Sequence, residues 1–306
     1  MSQTMRAIRF HEYGDSDKLS VDSVPRPVPG ANEILVKVQF AGVNPIDWKL
    51  RGGFYKAFMP VTFPSTPGRE FAGVVEEVGA NVKGLLKGQK VFGPGNGTYA
   101  EYVAVPAAEV SPVPEGVSLE SAATVSLGAL TAWHVVEEAN VKPGQTVVVL
   151  GAAGGVGLFA AQFAKLKGAH VVGVASAANL SFVRSLGAEA VDYSAGPLSS
   201  RVHPADVVLD TAGGTALEGA YSLVKKGGVL LTVAGMPSED RAKELGISAR
   251  SSGNRGAEPL GKIAELLASG KLITEVGKIF AFSEAAAAQD LSQTGHGRGR
   301  ILLRVQ

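Results

Sequence analysis

The sequence predicts an α/β protein in which a doubly wound parallel sheet is joined to a compact, mostly antiparallel β-barrel. Three observations predict this fold. Residues 1–118 consist of short strand-like stretches separated by glycine and proline, as in a small barrel. From about Ser118 onward strands alternate with helices, which is the pattern of βαβ units in a parallel sheet. Among these units, a glycine-rich turn over residues 151–157 joins a wholly apolar strand to a helix.

The first part of the chain carries the period-two pattern of half-buried strands. In Glu33–Phe40 every second residue is apolar and its neighbours are mostly polar. Residues 71–78 and 99–105 have the same strand-like character. We therefore predict that the first part of the barrel domain spans residues 1–120. Its turns are marked by Pro29-Gly30, Pro67-Gly68 and Gly93-Pro94-Gly95.

The second part of the chain alternates between helical and strand patterns. An alanine-rich helical stretch runs from Ser118 to about Asn140, and Thr146–Leu150 is apolar throughout, as a strand buried on both faces requires. We predict the parallel-sheet domain over residues 121–265. Residues 266–306 then form a return segment that completes the barrel. Within the two parts we predict strands at 169–175, 190–191, 207–209, 229–233 and 300–305, and helices at 158–167, up to about 186, and 283–291.

The composition indicates a globular enzyme and excludes several classes of function. With 306 residues the chain allows two domains, since single cores usually stop growing at about 250–300 residues. A net charge of +1 gives no electrostatic footprint for nucleic acid or for an anionic membrane. The absence of cysteine excludes disulfides, thiolate nucleophiles and cysteine-based zinc sites. Because neither an apolar leader nor a run of about 18 apolar residues occurs, we predict a cytoplasmic protein without a membrane partner.

The glycine-rich turn has the residues needed to hold a dinucleotide. Set against the pattern G-x-G-x-x-G, the chain has Ala152, Gly154 and Gly157 at the three positions of small residues. Small residues let the backbone N–H groups and the start of the following helix approach a pyrophosphate. The alternative is an ordinary tight turn between a strand and a helix, but the strand, turn, helix and second strand have the lengths of a dinucleotide-binding unit.

The end of the second strand favours NADPH over NADH. Dinucleotide sites that bind NAD place an acidic residue there, on the ribose 2′-hydroxyl. Here the strand ends in Ser176 and Asn179, and no acid follows until Glu189. A carboxylate would repel a 2′-phosphate, whereas a serine and an asparagine can donate hydrogen bonds to it. The alternative is that Ser176 and Asn179 only cap the next helix.

Six segments spread over the whole chain carry a family pattern: AGVNPIDWKLRGG (41–53), PGREFAGVVEEVG (67–79), GTYAEYVAVP (97–106), SLGALTAWHVV (126–136), GAAGGVG (151–157) and GRGRILLRV (297–305). In this order they resemble the zinc-free branch of the medium-chain dehydrogenase/reductase superfamily, which contains the quinone oxidoreductases and enone reductases. The resemblance implies a GroES-like barrel that binds substrate, a Rossmann domain, and a cofactor cleft between them.

The resemblance also implies that there is no metal. In the zinc-dependent alcohol dehydrogenases of the superfamily, a cysteine and a Gly-His-Glu motif supply catalytic ligands. This chain has Asn44 at the cysteine position and Gly68-Arg69-Glu70 in place of the motif. Glu70 alone cannot make a three-ligand site, so we predict no zinc.

The family's cofactor contacts can be carried over residue by residue. The resemblance implies that Asn44, Asp47 and Trp48 approach the nicotinamide and that Thr131 meets the cofactor from a helix. One departure from the family pattern is Asn179, where many members have a lysine. The remaining implied contacts lie at the pyrophosphate and the adenosine side: Ala152, Gly154, Gly155, Val156, Gly157, Ser176, Asn179 and Tyr193.

The predicted reaction is hydride transfer from NADPH to a quinone or an α,β-unsaturated carbonyl compound. The protein would hold the reacting carbon about 3–3.5 Å from the nicotinamide and stabilise the charge that develops on oxygen. The candidate donors to that oxygen are Asn44, Arg51 and Tyr55. Alternatively, Arg51 pairs with a surface acid and Tyr55 is an ordinary loop aromatic.

Other functions stay open at this level. The chain can be a nicotinamide-binding redox sensor or structural protein with little turnover, or a reductase of another carbonyl compound. The family also implies a homodimer, formed most simply by edge strands of two parallel sheets around Val229–Val233.

Overall fold

The computed structural model describes residues 3–306. The strands in this range are β1 (Thr4–Arg9), β2 (Ser20–Pro25), β3 (Glu33–Val43), β4 (Glu70–Val78), β5 (Lys90–Pro94), β6 (Tyr102–Pro106), β7 (Ser111–Pro112), β8 (Thr146–Leu150), β9 (His170–Ala175), β10 (Glu189–Asp192), β11 (Ala205–Asp210), β12 (Val224–Thr232), β13 (Ser248–Ser251), β14 (Val276–Ala281) and β15 (Arg300–Arg304). The α-helices are α1 (Pro45–Arg51), α2 (Leu119–Ala123), α3 (Gly128–Glu138), α4 (Gly157–Leu166), α5 (Leu180–Ser185), α6 (Thr215–Ala220), α7 (Glu239–Leu245), α8 (Leu260–Ala268) and α9 (Ala285–Gln293). No helix within residues 3–306 combines the length and the apolar character needed to cross a membrane.

Six strands form a parallel sheet in the order β10-β9-β8-β11-β12-β13. Helices α3, α4 and α8 pack on one face of this sheet, and α6 and α7 pack on the other. This arrangement confirms the predicted doubly wound fold. The strand order reverses between β8 and β11, and ligands of such sheets bind at the carboxyl ends of the strands at that point.

The far end of the parallel sheet differs from the prediction in two ways. Strand β13 was not predicted, because its sequence Ser-Ala-Arg-Ser is polar and mostly exposed, so no hydrophobic pattern marks it. Strand β12 lies between β11 and β13, so the prediction that Val229–Val233 forms a dimer edge was wrong. The open edges of the sheet are β10 and β13, and the homodimer itself stays a prediction.

The second large sheet combines strands from distant parts of the chain. Its order is β14-β15-β3-β4-β5-β7, and β6 also pairs with β3. All of its pairings are antiparallel except that of β14 with β15. Strand β15 lies against the end of β3, with Ile301 opposite Val43. The return segment therefore completes the barrel sheet, whereas the domain limits at residues 120 and 265 stay predictions.

The helical stretch predicted from Ser118 to Asn140 is divided into two helices. Ser118 caps α2, because its Oγ accepts a hydrogen bond from the backbone N of Ser121 at 3.1 Å. The connection to α3 turns the backbone N of Leu127 toward the carboxylate of Glu70, at 2.7 Å. A Cβ on Gly128 would lie 2.5 Å from the carbonyl oxygen of Gly155, so the start of α3 touches the glycine-rich turn. The break between α2 and α3 thus joins the parallel sheet to the barrel.

Candidate active site

The glycine-rich turn lies at the carboxyl end of β8, at the switch point of the parallel sheet. Gly151 has a φ of 77°, in the left-handed region that favours glycine. Helix α4 begins at Gly157, where a Cβ would overlap the carbonyl oxygen of Gly151. The hydroxyl of Thr211 donates to the carbonyl oxygen of Leu150 at 2.7 Å and fastens the turn to the end of β11. The backbone N–H groups of Leu158, Phe159 and Ala160 already donate to the carbonyl oxygens of Gly154 and Val156. The N–H groups that can bind an anion are therefore those of residues 155–157, at the end of the turn.

Arg300, the first residue of β15, places a guanidinium directly against this turn. A Cβ on Gly155 would lie 2.7 Å from Nη1 of Arg300. The preceding residue, Gly299, donates its backbone N–H to the carbonyl oxygen of Ala153 at 2.8 Å. Nη2 of Arg300 donates to Oδ1 of Asn44 at 2.6 Å, while the Nε of Arg300 is buried and has no partner among residues 3–306. A positive charge with unused hydrogen-bonding capacity therefore lies beside the turn.

Glu70 is the counter-charge of Arg300. Its side chain is fully buried and forms an ion pair with Arg300. It also accepts hydrogen bonds from Nδ2 of Asn44 at 2.9 Å and from the backbone N of Leu127 at 2.7 Å. A Cβ on Gly42 would overlap the carboxylate, so glycine in β3 makes room for it. The Arg300–Asn44–Glu70 cluster is thus a hydrogen-bonded unit shared by β15, β4 and the segment before α1.

Asp47 holds the backbone around Asn44. Its Oδ2 accepts hydrogen bonds from the backbone N of Asn44 at 2.8 Å and from the hydroxyl of Tyr99 at 3.0 Å. Its Oδ1 accepts a longer bond, 3.3 Å, from the backbone N of Gly68. Burial raises the pKa of Asp47 to about 6, although the hydrogen bonds from Asn44 and Tyr99 and the charge of Arg69 oppose the shift. Burial and the neighbouring Asp47 also raise the pKa of Tyr99. The buried site thus favours the protonated form of both side chains.

The raised pKa of Asp47 predicts a pH dependence of stability. A carboxyl that is easier to protonate in the folded state contributes stability that is fully present below its unfolded pKa, 3.8, and is lost as the pH rises through 6. At 1.36 kcal/mol per pKa unit, the loss is about 3 kcal/mol. We expect the free energy of unfolding of the wild type, minus that of Asp47→Asn, to fall over this window. Urea denaturation at pH 4, 5, 6 and 7 measures it, and parallel pH profiles of the two proteins would contradict the prediction.

The comparisons with known proteins agree with this geometry. Residues 30–115 match the family of the alcohol dehydrogenase GroES-like domain, and residues 186–303 match the zinc-binding dehydrogenase family. The chain is 33% identical to the 2-methylene-furan-3-one reductase of Solanum lycopersicum over 315 residues, covering 98% of this chain and 79% of the relative. The chain belongs to the medium-chain dehydrogenase/reductase superfamily, in its quinone oxidoreductase branch.

Solved structures of the same superfamily superimpose over nearly the whole chain. The quinone oxidoreductase from Coxiella burnetii has a TM-score of 0.91 at 32% identity and covers 99% of this chain and 100% of its own. A mycobacterial protein solved as a complex with NADPH has a TM-score of 0.88 at 27% identity, covering 98% and 99%. The predicted Rossmann and GroES-like parts are therefore confirmed, and the chain is an oxidoreductase of this superfamily.

Several residues predicted at the nicotinamide end of this oxidoreductase are engaged inside the protein. Asn44 and Asp47 are both 2% exposed, and their side chains are used in the contacts described above. Arg51 is also buried, and it donates to Oε1 of Gln289 at 2.7 Å and to the carbonyl oxygen of Gly14. Its guanidinium is thereby held against α9 instead of joining Asn44. The alternative, that Arg51 pairs with a surface acid, is not what residues 3–306 show either, since its partners there are neutral.

The side chains of two predicted aromatic residues, Trp48 and Tyr55, are half-buried, whereas that of Thr131 is buried. The ring of Trp48 packs edge-on against Phe54, with 5.6 Å between centroids, and its buried Nε1 has no partner in the described part of the chain. Tyr55 is half-buried and packs against Phe58, with 5.1 Å between ring centroids. Thr131 lies in α3 and is buried.

The residues predicted at the adenosine end come together beside β9. Nδ2 of Asn179 donates to Oγ of Ser176 at 3.1 Å, and the backbone N of Tyr193 donates to the carbonyl oxygen of Ala175 at 3.2 Å. The ring of Tyr193 is half exposed. Neither Ser176 nor Asn179 caps the following helices through its side chain. The capping alternative is therefore not what these side chains do in the structure.

Sequence reasoning missed Arg300 as a site residue. The segment 297–305 entered only as part of the family pattern, although it contained a usable signal. An arginine directly before the apolar run Ile301–Leu303 is a candidate for burial, and a buried arginine rarely lacks a charged partner. Glu70 was considered only as a metal ligand, and its actual partner lies 230 residues away in the sequence.

Proposed function

We propose that the chain is an NADPH-dependent, zinc-independent oxidoreductase that transfers hydride to a quinone or an α,β-unsaturated carbonyl compound. The observation that carries the proposal is the Arg300–Asn44–Glu70 cluster. It combines a fixed positive charge at the phosphate-binding turn with the residues that stand where related alcohol dehydrogenases hold zinc. Relatives named 2-methylene-furan-3-one reductase and quinone oxidoreductase support the substrate class.

The residues at the turn fit a dinucleotide. Gly155 leaves open the space in which a Cβ would meet Arg300, and the unpartnered Nε of that arginine is a spare donor. The hydroxyl of Ser176, which accepts a hydrogen bond from Nδ2 of Asn179, can donate its own hydrogen to a 2′-phosphate. The proposed binding set is Trp48, Thr131, Ala152, Gly154, Gly155, Val156, Gly157, Ser176, Asn179, Tyr193 and Arg300. When bound, NADPH supplies the hydride, and the protein supplies orientation and electrostatics.

We assign Asn44 and Asp47 a positioning role. Asp47 fixes the backbone of Asn44, and the amide of Asn44 in turn fixes the guanidinium of Arg300. Asn44 and Arg51, two of the three predicted donors to substrate oxygen, use their side chains in contacts within the protein. The hydroxyl of Tyr55, the third, has no hydrogen-bond partner in residues 3–306, and its side chain is half-buried. Tyr55 is therefore our candidate for stabilising the charge on that oxygen. An enolate or hydroquinone anion then takes its proton from solvent.

The reaction itself is testable with labelled cofactor. We expect deuterium on the transferred position of NADPH to appear on the β-carbon of an enone product. Such an acceptor spreads its charge into an enolate, whereas an isolated ketone needs a Lewis acid or a positioned proton donor. Mass spectrometry and NMR of the product locate the label, and label recovered only on a carbinol carbon would identify a reductase of simple ketones instead. Absence of any turnover with quinones, enones and enals would favour a sensor or structural protein.

Zinc independence predicts that activity survives removal of metal. Within residues 3–306 no group of three or more His, Asp or Glu side chains is arranged to hold a metal ion, which supports the proposal. Exhaustive chelation should leave the rate of NADPH oxidation unchanged within about twofold. A zinc-dependent alcohol dehydrogenase treated in parallel serves as the positive control. Stoichiometric zinc in the purified protein, lost together with activity, would contradict the proposal.

A further inference from the structure

The segment Gly297–Arg300 runs along the whole proposed cofactor site. At one end, the carbonyl oxygen of Gly297 accepts a hydrogen bond from Nδ2 of Asn179 at 3.4 Å. In the middle, Gly299 is bonded to Ala153 in the glycine-rich turn, and at the other end Arg300 lies against Gly155. A segment that leads into the barrel strand β15 therefore follows the path from the adenosine end to the pyrophosphate.

Arg298 is the charged side chain at the adenosine end of this segment. Its Cζ lies 5.2 Å from the ring centroid of Phe182. Phe182 comes three residues after Asn179, and residues at that spacing share one face of a helix. Nε of Arg298 forms an ion pair with Oε1 of Glu275 at 2.7 Å, and the side chain is 48% exposed. Its two terminal nitrogens have no hydrogen-bond partner within the described residues. Phe182 and Glu275 therefore orient the guanidinium of Arg298, and its terminal N–H groups can still donate to a ligand.

The site beside Ser176 and Asn179 otherwise lacks positive charge. Asn179 stands where many family members have a lysine, and an amide gives a hydrogen bond without a charge. Arg184 points from the last turn of α5 and is exposed. Arg201 donates to the carbonyl oxygen of Asp192, at the end of β10. Arg298 is paired with Glu275, but it is the one of these three arginines whose segment is hydrogen-bonded both to Asn179, through the carbonyl oxygen of Gly297, and to the glycine-rich turn, through Gly299.

We propose that Arg298 binds the 2′-phosphate of NADPH and is the main determinant of the preference for NADPH over NADH in this chain. The inference rests on the proposed function, because it assumes a dinucleotide at the glycine-rich turn. A guanidinium presents planar, paired donors that match phosphate oxygens. The positive charge for the phosphate is then supplied by Arg298 in the return segment, in place of the lysine that many family members have at the position of Asn179.

The test is the binding of NADPH and NADH to the full chain, measured separately by isothermal titration calorimetry without substrate. We expect Arg298→Gln, which keeps the length and removes the charge, to weaken NADPH about tenfold or more. NADH should change less than about threefold, because it lacks the phosphate. Arg298→Lys should bind NADPH with an affinity between those of the wild type and Arg298→Gln, because an ammonium keeps the charge but not the paired donors. The dissociation constant of NADPH should also depend less steeply on salt in Arg298→Gln than in the wild type.

Two controls use other cations. Arg184→Gln removes an exposed arginine of α5, and Arg201→Gln removes the other arginine near Tyr193. Both should keep the wild-type ratio of the two dissociation constants. If Arg201→Gln loses the preference and Arg298→Gln keeps it, Arg201 is the phosphate ligand and the inference is overturned.

The outcomes separate this inference from the proposed function. A wild type that prefers NADPH, together with an Arg298→Gln variant that keeps the preference, overturns the inference alone. If Arg298→Gln loses the same factor of affinity for NADPH and for NADH, the inference is also overturned, because such a loss indicates a structural role for Arg298. A wild type that binds neither nucleotide overturns the proposed function and the inference with it, and one that binds both equally overturns the NADPH preference.

Discussion

Replacing Arg300 with methionine should lower the free energy of unfolding by about 3–5 kcal/mol, because it leaves the carboxylate of Glu70 buried without its counter-charge. Glu70 would keep only the hydrogen bonds from Asn44 and from the backbone of Leu127. Urea denaturation followed by circular dichroism measures the loss. Binding of NADPH should weaken in the same variant, because the positive charge beside Gly155 is removed.

Two further variants sharpen the test of the buried ion pair. The double variant Glu70→Leu with Arg300→Met removes both charges and should recover much of the lost stability. Lys262→Met breaks an exposed pair with Glu265 in α8 and should cost no more than about 1 kcal/mol. If Arg300→Met also costs less than that, or if the double variant is less stable than the single one, the buried pair does not have the role described here.

Gly157→Ala should abolish tight NADPH binding, with a dissociation constant raised at least a hundredfold. The added Cβ would overlap the carbonyl oxygen of Gly151, and its neighbours there are backbone atoms and the Thr211 hydroxyl that fastens the turn. Relief therefore requires a shift of α4 away from β8, which moves the N–H groups that we propose hold the pyrophosphate. Quenching of intrinsic fluorescence by NADPH measures the effect.

The matched control for Gly157 is another glycine near the start of a helix. Gly261 is the second residue of α8, and nothing lies within 4 Å of a Cβ added there. Gly261→Ala should leave NADPH binding unchanged and raise the free energy of unfolding by up to about 1 kcal/mol. A Gly157→Ala protein that binds NADPH within threefold of the wild type would show that the turn tolerates the side chain and that the binding site lies elsewhere.

Much of the fold could be predicted because local patterns carry it. The apolar run of β8, the turn that follows and the alternating pattern of β3 each depend on residues that are neighbours in the sequence. Strand β13 could not be found this way, because its pairing with β12 is made by the backbone of a polar segment. The break between α2 and α3 was missed because it follows from the contact between Leu127 and Glu70.

The sequence suggested which residues to consider for the candidate site, but not which contacts their side chains make. Ser176 and Asn179 follow β9 directly and come together in the structure, while their contact with the adenosine end of a cofactor stays a prediction. Asn44 and Arg51 were chosen for their chemistry, but packing decides whether a donor is free. Their partners, Arg300 and Gln289, lie 256 and 238 residues away, and no spacing rule connects residues so far apart.

The pairing of β15 with β3 also sets an order in which the molecule can form. The parallel sheet is built from residues 146–251, so a growing polypeptide can assemble it during synthesis. Residues 40–43 of β3 lack their partner until β15 has been synthesised. Closing so long a loop carries an entropic cost that must be met before the contacts can offset it. The Arg300–Asn44–Glu70 cluster is then among the last contacts to form, so a nascent chain acquires the charge beside its glycine-rich turn only when the barrel is complete.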